Sequence, residues 1–241
     1  MKGVRFERLD ALRGLAIVWM VAYHFGFDLN HFGWLQPRRF PNSDLLWIAN
    51  RTAILSLFLF CAGFGQALAL DATQHWSRFW RRWAQIAACA LLVSLGSALV
   101  FPGSWIAFGV LHAMALMLIL ARLLAPLGRW LWPLAASALL LPWLWRHAVF
   151  DSPWLSWTGL VTHKPITEDY VPLLPWFGVL LAGLAGGQWV LAWHRDWVAG
   201  ALPRALGPLA RLGRWSLSVY MLHQPVFFGL LTAWQWLRGM S

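Results

Sequence analysis

Long apolar runs, separated by short polar connections, dominate this chain from its first helix-forming segment to its last. A helix needs about 20 predominantly apolar residues to cross the hydrocarbon core of a bilayer. The fifth run contains Pro133 and Pro142, which predict a kinked or short helix. The pattern therefore predicts an all-α, polytopic transmembrane helical bundle forming a single domain over 1–241. Its spans, about seven in number, are predicted at 11–30, 49–70, 82–101, 105–124, 129–146, 173–193 and 215–237.

The basic residues of the connections predict how the helices are oriented. Most of the 19 Lys and Arg residues fall on the same side as the N-terminus in this map. Because cytoplasmic connections carry an excess of Lys and Arg, the N-terminus is predicted to be cytoplasmic. An odd number of spans then leaves the C-terminus outside.

Composition agrees with a membrane protein and excludes several other classes. The chain is 60% apolar or aromatic and 12% charged, whereas soluble domains are about one quarter charged. Its two cysteines cannot form a disulfide framework or a zinc cluster, and no metal is predicted. The net charge of +10 is assigned to contacts with anionic lipid headgroups rather than to nucleic acid.

Ionisable residues recur along one side of the first predicted span, where each is costly to bury. At about 100° per residue, their directions fall within a sector of roughly 60°. With the N-terminus inside, the first two lie near the cytoplasmic surface and the others toward the outer end. The set is Asp10, Arg13, His24, Asp28 and His31.

Two interpretations of this polar side are open. It lines a polar track across the membrane, or Asp10 and Arg13 form an (i, i+3) ion pair while the histidines cap the outer end. His24 and Asp28 are spaced (i, i+4), so a direct contact between them is possible.

Other connections and spans supply groups that complement this side. Arg51, His112, Asp169, Tyr170 and Trp176 all fall at the predicted outer side. His223 lies nearer the middle of the last span, where it is either a packing histidine or a donor-binding group.

A neutral histidine near a carboxylate can take a proton from a hydroxyl or amine, and arginines can hold the phosphates of an anionic donor. Basic residues at the predicted cytoplasmic side include Arg81, Arg82 and Arg214. The combination indicates group transfer across a membrane, with an anionic donor inside and an acceptor outside. The serine-nucleophile, phosphate-loop and zinc-protease motifs are absent.

Several segments resemble one known family. They include Arg8-Leu-Asp10-Ala-Leu-Arg13-Gly14, Tyr23-His24-Phe-Gly-Phe-Asp28, Gly109-Val-Leu-His112, Asp169-Tyr-Val-Pro-Leu-Leu-Pro175-Trp176 and Ser218-Val-Tyr-Met-Leu-His223-Gln-Pro225. Together they resemble the bacterial relatives of heparan-α-glucosaminide N-acetyltransferase. The Arg13-to-His24 spacing is also similar to that of the membrane acyltransferase type 3 family, which O-acylates cell-surface sugars.

The resemblance implies a donor, an acceptor and a set of site residues. The donor is acetyl-CoA or another acyl-CoA from the cytoplasm, and the acceptor is a saccharide or glycoconjugate on the far side. His24 is implied as the base, and Arg13 is implied to have a donor-side role. In the expected mechanism, Asp28 or His31 assists His24. Asp10, Arg51, Arg81, Arg82, His112, Arg214 and His223 are further donor-binding candidates; Trp34, Asp169, Tyr170 and Trp176 are acceptor-binding candidates.

The chain departs from the family pattern at the histidine. The lysosomal enzyme resembles this chain with an asparagine in place of His24, and its active histidine stands in a His-x-x-Trp setting. His31-Phe-Gly-Trp34 is similar to that setting, so His24 and His31 are both candidate bases, with His24 favoured. The chain is also shorter than typical members, which raises the possibility of a homodimer that completes the site.

The sequence therefore predicts an acyl-CoA-dependent acyltransferase of the bacterial cytoplasmic membrane, acting on a sugar hydroxyl or amine. Direct transfer and an acyl-histidine intermediate both stay open. The alternative from another class is a transporter or flippase that uses the polar side as a permeation path. A haem or quinone carrier with His24, His112 and His223 as ligands is a third possibility.

Overall fold

The computed structural model describes residues 6–37, 40 and 43–239, and every structural statement below concerns these residues. They are 77% helical and contain no strand. The α-helices are α1 (Glu7–His31), α2 (Leu45–Asp71), α3 (Trp76–Val100), α4 (Val110–Leu124), α5 (Leu131–Leu144), α6 (Trp176–Trp193), α7 (Arg195–Ala199), α8 (Gly207–Arg214) and α9 (Ser216–Gly239).

Each predicted span coincides with one of the long helices, with boundaries that differ by up to six residues. The fourth helix begins at Val110 rather than at 105, because Gly109 is its N-cap in extended conformation and the preceding residues form a turn. The fifth helix, α5, has 14 residues and contains Pro142, in agreement with the predicted short or kinked helix. A 3₁₀ segment, Ala125–Trp130, precedes it and breaks at Gly128, whose φ is 54°.

Four segments of the described chain are long and apolar enough to cross a membrane. They are α2, α3, the 35-residue stretch Val110–Leu144 that contains α4 and α5, and α6. The helices α1 and α9 have 25 and 24 residues but are less apolar, because their polar side chains lower the mean hydropathy. These findings indicate a membrane protein; the full set of seven spans and the orientation stay predictions.

The chain divides into two compact units, with the boundary inside α2. The larger unit contains residues 59–198, and the terminal unit contains the described residues within 6–58 and 199–239. In the larger unit, α2 and α6 touch through reciprocal glycines: a Cβ on Gly63 would overlap the Leu180 carbonyl oxygen, and one on Gly183 would overlap the Phe60 carbonyl oxygen. Such contacts let two helix backbones approach closely.

In the terminal unit, α1 packs against α8 and α9. Gly14 of α1 and Gly213 of α8 allow the close approach, since a Cβ on either would overlap a backbone carbonyl oxygen of the opposite helix. Ile17 and Met20 of α1 and Ile54 of α2 form the buried apolar centre of this unit. The packing leaves the C-terminal half of α1, around His24, facing α9.

The connection between α5 and α6 is held together by one carboxylate. Asp151 accepts hydrogen bonds from the Thr162 hydroxyl at 2.5 Å, the Thr162 amide at 2.7 Å and the His163 amide at 3.2 Å. These bonds, led by that of the Thr162 hydroxyl, lower the pKa of Asp151 from 3.8 to about 2. Carboxylates that accept several hydrogen bonds are stabilised in their ionised form.

We expect Asp151→Ala to remove the protection of the Thr162 and His163 amides against hydrogen exchange, because both donate to this carboxylate. Since folding lowers the Asp151 pKa, its stabilising effect is complete above pH 3.8 and is lost as the pH falls toward about 2. Exchange measured by mass spectrometry, corrected for intrinsic rates, checks both points. Asp196→Ala, an exposed aspartate of α7, is the control. Unchanged protection in Asp151→Ala would show that the loop does not depend on this carboxylate.

Candidate functional site

Polar side chains from α1 and α9 meet inside the terminal unit. His24 and Asp28 lie one helical turn apart on α1, and His223 and Gln224 are consecutive on α9. The His24 and His223 rings have centroids 5.0 Å apart and planes at 61°. The Gln224 amide donates from Nε2 to Asp28 Oδ1 at 3.1 Å. We call these four residues the buried polar cluster.

Each member of the buried polar cluster has one buried polar atom without a hydrogen-bond partner among the described residues. These atoms are His24 Nδ1, Asp28 Oδ2, His223 Nε2 and Gln224 Oε1. Leaving a buried polar atom unsatisfied costs about 1–3 kcal/mol. Four such atoms close together call for an explanation, such as a functional role or a bound water, ion or polar ligand.

The two nitrogens of His24 have different surroundings. Nδ1 is buried, whereas the residue as a whole is only partly buried. The ring touches Tyr23 edge-on at 5.4 Å between centroids, and Tyr23 in turn contacts Trp47 of α2. Nε2 is therefore the nitrogen that is left to meet a substrate.

Asp28 is 1% exposed, and its hydrogen-bond partner is Gln224 rather than His24. The sequence allowed a direct contact between His24 and Asp28, but no hydrogen bond joins them in the described structure. The His24 ring instead contacts His223 of α9, and the Asp28 carboxyl group contacts Gln224 of α9. Asp28 thus places a buried carboxyl group against Gln224, the residue next to His223.

His31 and Trp34 lie at the C-terminal end of α1 and just beyond it. His31 is exposed, and its ring lies 5.5 Å from Phe32 and 5.8 Å from Phe228, centroid to centroid. Trp34 lines an open groove of about 620 Å³ together with Leu230, Leu231, Trp234 and Arg238. The groove places aromatic and cationic groups at the same end of α1 as His31.

The arginines at the other end of α1 are partnered by carboxylates. Arg13 Nη1 lies 3.5 Å from Asp10 Oδ1, so the ion pair considered from the sequence is formed. Arg214 of α8 lies 3.3 Å from Glu7 and 3.8 Å from Asp10. These contacts join two cations to two carboxylates at the N-terminal end of α1.

The polar side of α1 is not continuous. Between Arg13 and His24, Ile17 and Met20 point the same way and are buried at 1% and 3% exposure. They pack against Ile54 and Leu212 in the apolar centre of the terminal unit. The side of α1 that faces its neighbours is thus polar at both ends and apolar in the middle.

His112 and Asp169 meet at the N-terminus of α4 in the larger unit. Asp169 Oδ2 accepts the Val110 amide at 2.8 Å, and His112 Nδ1 accepts the Gly109 amide at 3.3 Å. With Nδ1 accepting, a neutral His112 carries its proton on Nε2, which donates to Ser94 Oγ at 3.0 Å. The Ser94 hydroxyl donates onward to the Ile106 carbonyl at 2.7 Å.

This direction of donation decides what His112 can do. Its lone pair is used by the Gly109 amide, so it cannot take a proton from Ser94 in this arrangement. Ser94 and His112 therefore form a helix-capping network rather than a nucleophile and its base.

The other sequence-predicted candidates are dispersed: Arg81 and Arg82 are exposed on α3, Arg51 is exposed on α2, and Trp176 begins α6 half-buried. Tyr170 donates its hydroxyl to the Ser156 carbonyl at 2.7 Å, and burial raises its pKa to about 12.

Sequence reasoning missed two residues. Gln224 received no role, although a glutamine beside a histidine in an apolar span is the signal that would have identified it. Arg122 of α4 is buried at 8% exposure, donates to the Gln74 carbonyl at 2.7 Å and lies over the Trp76 and Phe79 rings. It ties α4 to the start of α3 through cation–π contacts.

Within the described part of the chain, no group of three or more His, Cys, Asp or Glu residues could hold a metal ion.

The helices and the buried polar cluster define an all-helical membrane protein with a histidine site between two of its helices, α1 and α9. The sequence pattern of the family described as heparan-alpha-glucosaminide N-acetyltransferase, catalytic, matches residues 5–225. The chain belongs to this family, which confirms the resemblance seen in the sequence. No curated protein and no solved structure matches the chain. The family match includes all four residues of the buried polar cluster and supports a membrane acetyltransferase.

Proposed function

We propose that this protein transfers an acetyl or other acyl group from cytoplasmic acyl-CoA to a hydroxyl or amine of a saccharide on the opposite side of the membrane. The buried polar cluster is the observation that carries the proposal, because it holds His24 with one nitrogen inside and the other available. The family match supports the reaction type.

In this proposal, His24 Nε2 takes the proton of the acceptor as the acceptor's oxygen or nitrogen attacks the thioester carbonyl carbon. The carbon–sulfur bond then breaks, and the same nitrogen returns the proton to the CoA sulfur. The products are the acylated saccharide and CoA thiol, so atoms and charges balance. General base catalysis of this kind contributes about 10²–10⁴-fold to a rate.

The donor side is proposed at the N-terminal end of α1, where Arg13 and Arg214 share Asp10 and Arg214 also contacts Glu7. Arg13 and His24 are eleven residues apart, about 16 Å along the helix. A donor whose phosphates bind at the arginines must therefore extend a long arm to present its thioester to His24. The acyl-CoA pantetheine arm has this form.

The acceptor is proposed to enter at the other end of α1, beside His31 and the groove lined by Trp34, Trp234 and Arg238. Aromatic faces with a nearby cation suit a sugar, which offers both apolar ring faces and hydroxyl groups. The arrangement rests on seven crossings with a cytoplasmic N-terminus, in a bacterial inner membrane, as the Lys and Arg distribution predicts. Homodimerisation stays a prediction.

The test uses the purified protein in vesicles sorted by orientation, with radiolabelled acetyl-CoA outside and amino sugars or neutral sugars trapped inside. We expect label on the sugar and free CoA thiol only where the cytoplasmic face is outward. CoA release before any acceptor is added would identify an acyl-histidine route; release only with acceptor would identify direct transfer. Escape of the trapped sugar without consumption of acetyl-CoA would contradict the proposal and favour a transporter.

A further inference from the structure

The orientation of the His223 ring fixes which of its nitrogens carries the proton. Its Nδ1 lies 2.8 Å from the Tyr220 carbonyl oxygen and 3.2 Å from that of Val219. Carbonyl oxygens only accept hydrogen bonds, so Nδ1 must be the donor. In a neutral His223 the lone pair therefore lies on Nε2, which is buried.

No group in the described structure donates a hydrogen bond to this lone pair. His223 Nε2 and His24 Nδ1 are both buried and both lack a hydrogen-bond partner, while their ring centroids are only 5.0 Å apart. Gln224, the neighbour of His223, donates to Asp28 through its Nε2, whereas the rings of His24 and His223 lie next to each other. The two unsatisfied nitrogens satisfy each other if His24 carries its proton on Nδ1.

We propose that His223 is a positioning residue: its Nε2 accepts a hydrogen bond from His24 Nδ1–H, directly or through one bridging water. The pairing fixes the His24 tautomer, with the lone pair on Nε2, and holds its ring in place. Hydrogen bonds of this kind are often long in a substrate-free protein and shorten when substrate binds. The inference rests on the proposed function only in taking His24 as the base.

The pair has a defined role during the reaction. When His24 Nε2 takes the acceptor's proton, the resulting imidazolium still donates Nδ1–H to His223, and the hydrogen bond becomes charge-assisted and stronger. The proton then leaves from Nε2 to the CoA sulfur, so His223 neither gains nor loses a proton. A role in orienting the base replaces the donor-binding role that the sequence predicted for His223.

The kinetic test compares His223→Phe and His223→Gln with the unsubstituted protein. Phenylalanine keeps the aromatic volume and removes the acceptor, whereas glutamine keeps an acceptor oxygen at similar reach. We expect His223→Phe to lower kcat about 10- to 100-fold with the KM for acetyl-CoA unchanged, and His223→Gln to recover part of the loss. His75→Phe, at an exposed histidine outside the site, is the matched control for the substitution.

A second measurement needs no substrate. Nitrogen-15 NMR of histidine-labelled protein distinguishes the Nδ1–H from the Nε2–H tautomer, and the His24 signal is assigned by its loss in His24→Gln. We expect His24 to be the Nδ1–H tautomer in the unsubstituted protein and to lose that preference in His223→Phe. A size-exclusion profile and melting curve for each variant establish that it is folded.

Two results would overturn the proposal: a His24 tautomer that His223→Phe does not change, or a raised KM for acetyl-CoA with an unaltered kcat. The second result would return His223 to the donor site. A third result separates the two proposals. If the unsubstituted protein never turns over acetyl-CoA but its His24 is the Nδ1–H tautomer and depends on His223, the proposed function alone is contradicted and the histidine pair stays supported.

Discussion

His24→Gln is expected to lower kcat for acetyl transfer by about 10²–10⁴-fold, the range that general base catalysis contributes. Glutamine is similar in reach to histidine and forms hydrogen bonds, but it cannot take and return a proton near neutral pH. Because Nδ1 is buried and the ring packs against Tyr23 and His223, the substitution should leave the helices in place. Initial rates of CoA thiol release at saturating acetyl-CoA measure the effect.

The control for this experiment is His75→Gln, the same change at an exposed residue before α3. His31→Gln is assayed beside it, because His31 is the other candidate base. If His31→Gln abolishes transfer while His24→Gln retains it, the proposed base is wrong and the reaction takes place at the outer end of α1. The buried polar cluster would then have a structural role only.

Gly63→Ala is expected to lower the melting temperature by about 2–10 °C, which corresponds to an overpacking cost of about 1–3 kcal/mol. The added methyl group would overlap the Leu180 carbonyl oxygen, a backbone atom of α6 that cannot rotate away. The two helices must then separate along their contact. Thermal unfolding in detergent, followed by tryptophan fluorescence, measures the change.

Gly96→Ala is the matched control, since a Cβ there meets no atom within 4 Å and the residue lies inside α3. Alanine is a better helix former than glycine, so this variant should melt at the same temperature or slightly higher. Gly183→Ala makes the reciprocal clash with the Phe60 carbonyl oxygen. Its effect combined with Gly63→Ala should be smaller than the sum of the two, because one separation of the helices relieves both clashes.

The positions of the long helices could be predicted from the sequence because they depend on local apolar length. The start of α4 was placed too early, because residues 105–109 are apolar enough for a span while Gly109 and its neighbours cap the helix. The Asp10–Arg13 pair was also foreseeable, since residues three apart on a helix are neighbours. The predicted polar track is interrupted. Its periodicity was derived from the ionisable residues alone, and Ile17 and Met20 occupy the same side of α1.

The pairing of His24 with His223 could not be derived from spacing, because the two residues are separated by almost the whole chain. The same holds for Asp28 and Gln224, and it explains why the sequence suggested an Asp28–His24 contact instead. In His112, one ring nitrogen contacts Gly109, the N-cap of α4, and the other contacts Ser94 of α3. The donor-binding role that its family-like segment suggested stays a prediction.

By itself, the sequence determined that this is a helical membrane protein of the N-acetyltransferase family, and it selected His24 and His31 of α1 as the candidate bases. Those conclusions need only the solvent preference of each segment and a local pattern of residues. The tertiary structure decided which polar groups meet, which nitrogen of each histidine is buried, and that arginines at the N-terminal end of α1 are balanced by carboxylates. Such contacts depend on how helices distant in sequence pack. The close helix contacts that the glycines permit are visible only in the tertiary structure.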